Sequence, residues 1–130
     1  MTNILLIDRD LGFMFAFAES LKVRGIAVIP ATSVREAEEV LSAIRPDLSL
    51  LIMNCACERV CSFAQQLRKE HQYIRVIGIV SPSHRCRECG RLLIATLHDP
   101  EDRSPDRLPH CVELVCILTG RSGFGGSWPG

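Results

Sequence analysis

The chain has 130 residues, 47% of them hydrophobic, and its fifteen basic side chains balance fifteen acidic ones. That length bounds a single domain with enough apolar content to bury a core. Zero formal net charge excludes the broad basic surface of a non-specific nucleic-acid binder or of a polybasic membrane anchor. No apolar run approaches the ~18 residues of a membrane span, and the start Met1-Thr2-Asn3-Ile4-Leu5-Leu6-Ile7-Asp8 lacks the basic region of a secretory signal. Seven cysteines without an export signal point to free thiols or metal ligands rather than a full disulfide framework. The expectation is a cytoplasmic domain over residues 1–120, followed by a disordered Gly/Ser-rich tail over 121–130.

In chain order, Ile4-Leu5-Leu6-Ile7 reads as a strand buried on both faces. Phe13, Phe17 and Leu21 then recur every four residues up to Gly25, the pattern of an amphipathic helix and its stop. A second apolar run, Ile26-Ala27-Val28-Ile29, precedes Ser33-Val34-Arg35-Glu36, a capping box. It opens a helix that buries Ala37, Val40, Leu41 and Ile44 and ends at Pro46. Leu48–Met53 is a third strand, and residues 59–71 a third helix with Val60, Phe63, Ala64 and Leu67 inward.

Ile74–Val80 is a fourth strand. The stretch Pro82–Gly90 has space for only a shortened or irregular fourth helix, and Leu92–Leu97 forms a fifth strand. A last helix over 108–118 turns Val112, Val115 and Cys116 inward. Alternating strands and helices with short links predict an α/β domain, a doubly wound parallel sheet of five strands. In such a sheet chemistry collects at the carboxyl ends of the strands, here Asp8-Arg9-Asp10, Ile52-Met53-Asn54, Ser81-Pro82 and His98-Asp99-Pro100.

These strand ends, in this order, resemble the receiver domain of bacterial two-component response regulators over about residues 3–119, most specifically in Ile4–Asp10, Arg45-Pro46-Asp47-Leu48 and Val76–Ser81. The resemblance implies a flavodoxin-like strand order 2-1-3-4-5. It also implies a magnesium-binding acid pair after the first strand and a phosphoacceptor aspartate ending the third. A hydroxyl residue would end the fourth strand, and a lysine before a proline the fifth. Carried over residue by residue, Asp8 and Asp10 match acidic positions, while Arg9 stands where the family usually has its second metal-binding acid. An ungapped match puts Ile52 at the phosphoacceptor and Asn54 at the residue that lends the metal a backbone carbonyl; a two-residue slip would put Asn54 at the acceptor instead, and an amide is no competent acceptor either. Ser81 matches the hydroxyl residue, and Asp99 replaces the lysine.

Family phosphoryl transfer needs a carboxylate nucleophile, a divalent cation and a lysine, so the resemblance implies a degenerate pseudo-receiver that forms no aspartyl phosphate and does not hold Mg²⁺. Asp8 and Asp10 have a plainer role open to them, as an N-cap and a first-turn acid. The chain also lacks a nucleophile–base pair and a Gly-rich phosphate loop after a strand, which argues against an enzyme.

The cysteines offer an alternative. Cys86-Arg87-Glu88-Cys89 with His84 upstream has zinc-knuckle or redox-pair spacing, and Cys55, Cys57 and Cys61 add three thiols. With the third and fourth strands adjacent, as the resemblance implies, a tetrahedral zinc site from both clusters is geometrically open. The competing reading makes buried cysteines small apolar fillers, and no cofactor is expected.

On the first helix, Leu11 and Phe15 lie on the far side from Phe13, and Met14 borders the buried stripe. Leu11, Met14 and Phe15 are therefore the expected contact with a protein partner or a second copy. The function expected from the sequence is a phosphorylation-independent interaction or regulatory module in bacterial signal transduction. A zinc- or redox-responsive module and a working phosphoacceptor response regulator are the alternatives.

Overall fold

The computed structural model describes residues 2–80, 93, 95–98 and 107–120. The strands are β1 (Thr2–Ile7), β2 (Ile26–Ala31), β3 (Leu48–Asn54), β4 (Arg75–Val80) and β5 (Ala95–His98). The described helices are α1 (Leu11–Lys22), α2 (Val34–Ile44), α3 (Val60–Glu70) and α4 (Arg107–Leu118). The strands pair in parallel in the order β2-β1-β3-β4-β5. The shortened helix expected between β4 and β5, and the tail over 121–130, lie outside the described residues.

Both faces of the sheet are covered, and the period of two along each strand decides which side chain goes where. Leu5, Ile7, Leu51 and Met53 pack with Val34 and Ala37 of α2 and with Val60, Ala64 and Leu67 of α3. Their sequence neighbours Ile4, Leu6, Leu50 and Ile52 pack with Phe13, Met14, Phe17 and Leu21 of α1 and with Cys111, Val115 and Cys116 of α4. The apolar runs of β1 and β3 are unbroken because each residue in turn meets one of these two layers. Phe13 and Phe17 stack with ring centroids 5.7 Å apart, adding an aromatic contact to the burial of both rings.

Local chemistry sets the helix ends. Asp10 caps α1, its Oδ1 accepting the Phe13 N–H at 3.1 Å, and Ser33 Oγ accepts the Glu36 N–H at 3.1 Å at the start of α2. The Glu36 carboxylate completes the motif one residue earlier than expected, accepting the Thr32 hydroxyl at 2.8 Å. Arg45 closes α2 and Arg59 opens α3, both with positive φ, 49° and 63°. Arg59 makes no side-chain cap.

The burial of two residues differs from the sequence reading. Ile44, expected inward, is 64% exposed, because it ends α2 just before the chain turns at Arg45. Met14 is buried, since α1 packs against both the sheet and α4 and so hides a wider arc than Phe13, Phe17 and Leu21 define. Cys111 is fully buried on α4. The fifth strand is shorter than 92–97: Leu93 precedes it, and β5 runs from Ala95 to His98. At the opposite edge, β2 pairs only with β1 among the described residues and carries Pro30 opposite Leu6. Among the described residues no helix is long and apolar enough to cross a membrane.

Candidate functional site

Because β1 and β3 are neighbours, with Ile7 opposite Met53, the loops that follow them meet at the carboxyl edge of the sheet. The first loop supplies Asp8, Arg9 and Asp10, the second Asn54, Cys55, Ala56 and Cys57. Asp8 is buried, and its Oδ1 accepts the backbone N–H of Arg9 at 2.6 Å, that of Asp10 at 3.3 Å and the Asn54 amide at 3.3 Å. A buried carboxylate needs such donors, and these also fix the turn into α1.

Asn54 organises the second loop. Its Oδ1 accepts the Ala56 N–H at 2.9 Å and its backbone carbonyl accepts the Cys57 N–H at 3.0 Å. Cys55 N–H donates to the Ile79 carbonyl at 2.9 Å, holding the loop against β4. Arg9 then closes the site from the solvent side: its Nη2 donates to the Ala56 carbonyl at 2.9 Å. The same guanidinium lies against Cys57, whose thiol pKa is raised by burial, with Arg9 opposing that rise and Asp8 adding to it.

Ile52, which the sequence resemblance would put at the phosphoacceptor, is wholly buried between Leu6 of β1 and Ile77 of β4. Ser81 and Asp99, the other two marked positions, lie outside the described residues. The described part of the site thus gathers one buried carboxylate, one capping carboxylate, one amide and one guanidinium. As arranged, these groups can hold two loops together and present a cation to solvent.

The other sequence candidates separate. Leu11 and Phe15 are exposed on α1, 52% and 62%, whereas Met14 is 1% exposed and does not belong to a contact surface. Cys55 and Cys57 are buried and take part in no disulfide. Cys61 is disulfide-bonded, so it offers no thiolate to a metal. Among the described residues no three His, Cys, Asp or Glu side chains converge as metal ligands; His84, Cys86 and Cys89 lie outside them.

Sequence reasoning missed the Ala56 carbonyl, since a backbone acceptor has no residue signature. It also missed an open groove between α2 and α3, spanned by the Arg59–Glu38 ion pair at 2.9 Å. The exposed Arg59–Glu38 spacing of 21 residues carries no local signal.

No protein-family model matches the sequence, and no curated protein matches it. Solved structures do. A response regulator from Thermotoga maritima superposes with a TM-score of 0.70 at 17% identity, over 92% of this chain and 98% of that one. A response regulator receiver protein from Burkholderia phymatum gives 0.66 at 20% identity, over 94% and 98%. A third, a response regulator protein from Thermotoga maritima in complex with Mg²⁺ and BeF, gives 0.69 at 17% identity, over 91% and 99%. The chain has the α/β flavodoxin-like fold of response-regulator receiver domains.

Proposed function

We propose that this chain is a degenerate receiver domain, a pseudo-receiver that works as a phosphorylation-independent protein-interaction or regulatory module in signal transduction, not as an enzyme. The observation that carries the reading is the replacement of chemistry by structure at the two central positions. Ile52, which an ungapped match to the family pattern puts at the acceptor, is buried and has no nucleophile, and the Arg9 guanidinium is bonded to the Ala56 carbonyl over the site.

The donors present do not fit a divalent cation. The carboxylate oxygen of Asp8 that faces the loop is already shared by two backbone N–H groups and the Asn54 amide. The Asn54 carbonyl receives the Cys57 N–H, and Arg9 adds a fixed positive charge where a hard cation would need oxygen ligands. Without the acceptor and the cation, aspartyl phosphorylation has neither its nucleophile nor its charge neutralisation. Signalling then falls to surfaces, and the exposed Leu11 and Phe15 of α1 are the surface we assign to a protein partner or a second copy. A cytoplasmic setting follows the same reading.

The test is incubation with a small-molecule phosphodonor and Mg²⁺, followed by intact mass measurement and acid–base lability of any adduct. The expected spectrum is that of the unmodified chain. An acid-stable, base-labile phosphoryl adduct on a carboxylate overturns the reading in favour of a working phosphoacceptor.

A further inference from the structure

The helices that flank the open groove, α2 and α3, both run from the carboxyl edge of the sheet to its amino edge, because each links two parallel strands. Leu41 of α2 and Phe63 of α3 line the groove and pack, partly buried, against the core beneath it, so its floor is apolar. Arg45 and Glu70 line it where the two helices end. Both are exposed, and among the described residues neither side chain has an ion-pair or hydrogen-bond partner.

On the other face of the sheet, α1 turns a matching stripe outward. Leu11, Phe15, Glu19 and Lys22 are all exposed, and at about 100° per residue they share an arc of about 80°. Glu19 and Lys22 likewise have no side-chain partner among the described residues. The helix has 12 residues, against 11 in α2 and 11 in α3, so stripe and groove are both about 17 Å long.

We infer that α1 of one copy of this chain lies in the α2–α3 groove of a second copy, parallel to both helices, with Phe15 on Leu41 and Phe63. Spacing sets the register. Glu19 is four residues beyond Phe15, as Arg45 is beyond Leu41, and Lys22 is seven beyond Phe15, as Glu70 is beyond Phe63. Seating Phe15 on the floor therefore brings Glu19 level with Arg45 and Lys22 level with Glu70, opposite charges in both cases. The reverse orientation carries Glu19 and Lys22 toward Glu38 and Arg59, whose charges already satisfy each other. Zero formal net charge leaves no long-range repulsion between copies.

The contact is head-to-tail. Since α1 and the groove lie on opposite faces of the sheet, each added copy still presents one stripe and one groove, and assembly proceeds past two. This inference rests on the assignment of Leu11 and Phe15 to a contact surface and names what covers them.

Sedimentation equilibrium of the full chain, with no phosphodonor present, is expected to give a weight-average mass that rises with concentration beyond that of two chains. Phe15→Lys spoils the stripe, and Gln66→Trp fills the groove from an exposed position on α3. Each variant alone is expected to stay monomeric with unchanged far-ultraviolet circular dichroism. Their equal mixture, with one sound stripe and one sound groove, is expected to form a dimer that grows no further. Glu19→Arg and Arg45→Glu are each expected to weaken association about tenfold, and the chain carrying both to recover it.

A parent chain that stays monomeric at millimolar concentration overturns the inference. So does an equal mixture that stays monomeric, or a double charge variant that recovers nothing. Association that Phe15→Lys abolishes and Gln66→Trp leaves intact also overturns it, assigning α1 to a symmetric contact with itself. A phosphoryl adduct in the phosphodonor experiment overturns the pseudo-receiver reading and leaves this contact standing.

Discussion

The guanidinium of Arg9 and the carbonyl of Ala56, 47 residues apart in sequence, meet at 2.9 Å and tie the loop after β1 to the loop after β3. Asp8 makes the reciprocal tie from beneath, accepting the Asn54 amide. The two loops are thus joined by a cationic donor outside and an anionic acceptor inside.

Arg9→Ala removes the outer tie and is expected to lower the unfolding free energy by about 0.5–1.5 kcal/mol, the net worth of one such hydrogen bond. Arg9→Lys is expected to recover little of it, because a single ammonium on a flexible stem does not reproduce the planar fork. Urea denaturation with an unchanged slope checks both. A variant as stable as the parent means that the contact contributes nothing.

Met14 and Phe15 are adjacent residues with opposite surroundings, which makes a paired test. Met14→Ala opens a cavity between α1, the sheet and α4 and is expected to cost about 2–5 kcal/mol. Phe15→Lys changes an exposed ring and is expected to leave the urea midpoint in place while weakening association, read by sedimentation of the purified chain and of any complex. Unchanged self-association and partner binding in Phe15→Lys exclude this face of α1.

The pH dependence of stability follows from Cys57 and Cys116, whose thiols are both raised by burial, with Arg9 and Arg24 respectively pulling them down. A thiol raised in the folded state keeps its proton where the unfolded chain releases it. Its contribution is therefore complete below the ordinary thiol value of 9.0 and is lost as pH rises through that value and on toward the folded one. Unfolding free energies followed upward from neutral pH are expected to decline in the alkaline range, and Cys57→Ala with Cys116→Ala to flatten that part of the decline. An identical alkaline slope in the double variant removes the thiols as its cause.

The fold is legible wherever a residue type answers to one physical demand. Ile4-Leu5-Leu6-Ile7 announces a strand covered twice, and helices pack on both sides of it. Asp10 is a capping residue by type and a cap in fact. What escapes the sequence depends on third parties. Met14 is hidden by α4, and Ile44 is left out because α2 ends there. The Ala56 carbonyl becomes an acceptor only because β1 and β3 lie side by side. Arg9 and Ile52 stood out in the sequence because the family pattern it resembles leads one to expect acidic residues there. Their geometry, a guanidinium turned to a neighbouring loop and an isoleucine sunk between two strands, was not legible.

Pro30 bears on how such a domain can be joined to others. A parallel sheet left open at β2 is a template on which a foreign strand could extend the ladder. Proline has no N–H to donate and its ring holds φ near one value, so the exposed rim is interrupted within the six residues of β2. Strand-by-strand accretion is discouraged along that side, in the crowded cell as in a concentrated solution, and recognition there is steered toward side chains instead of backbone.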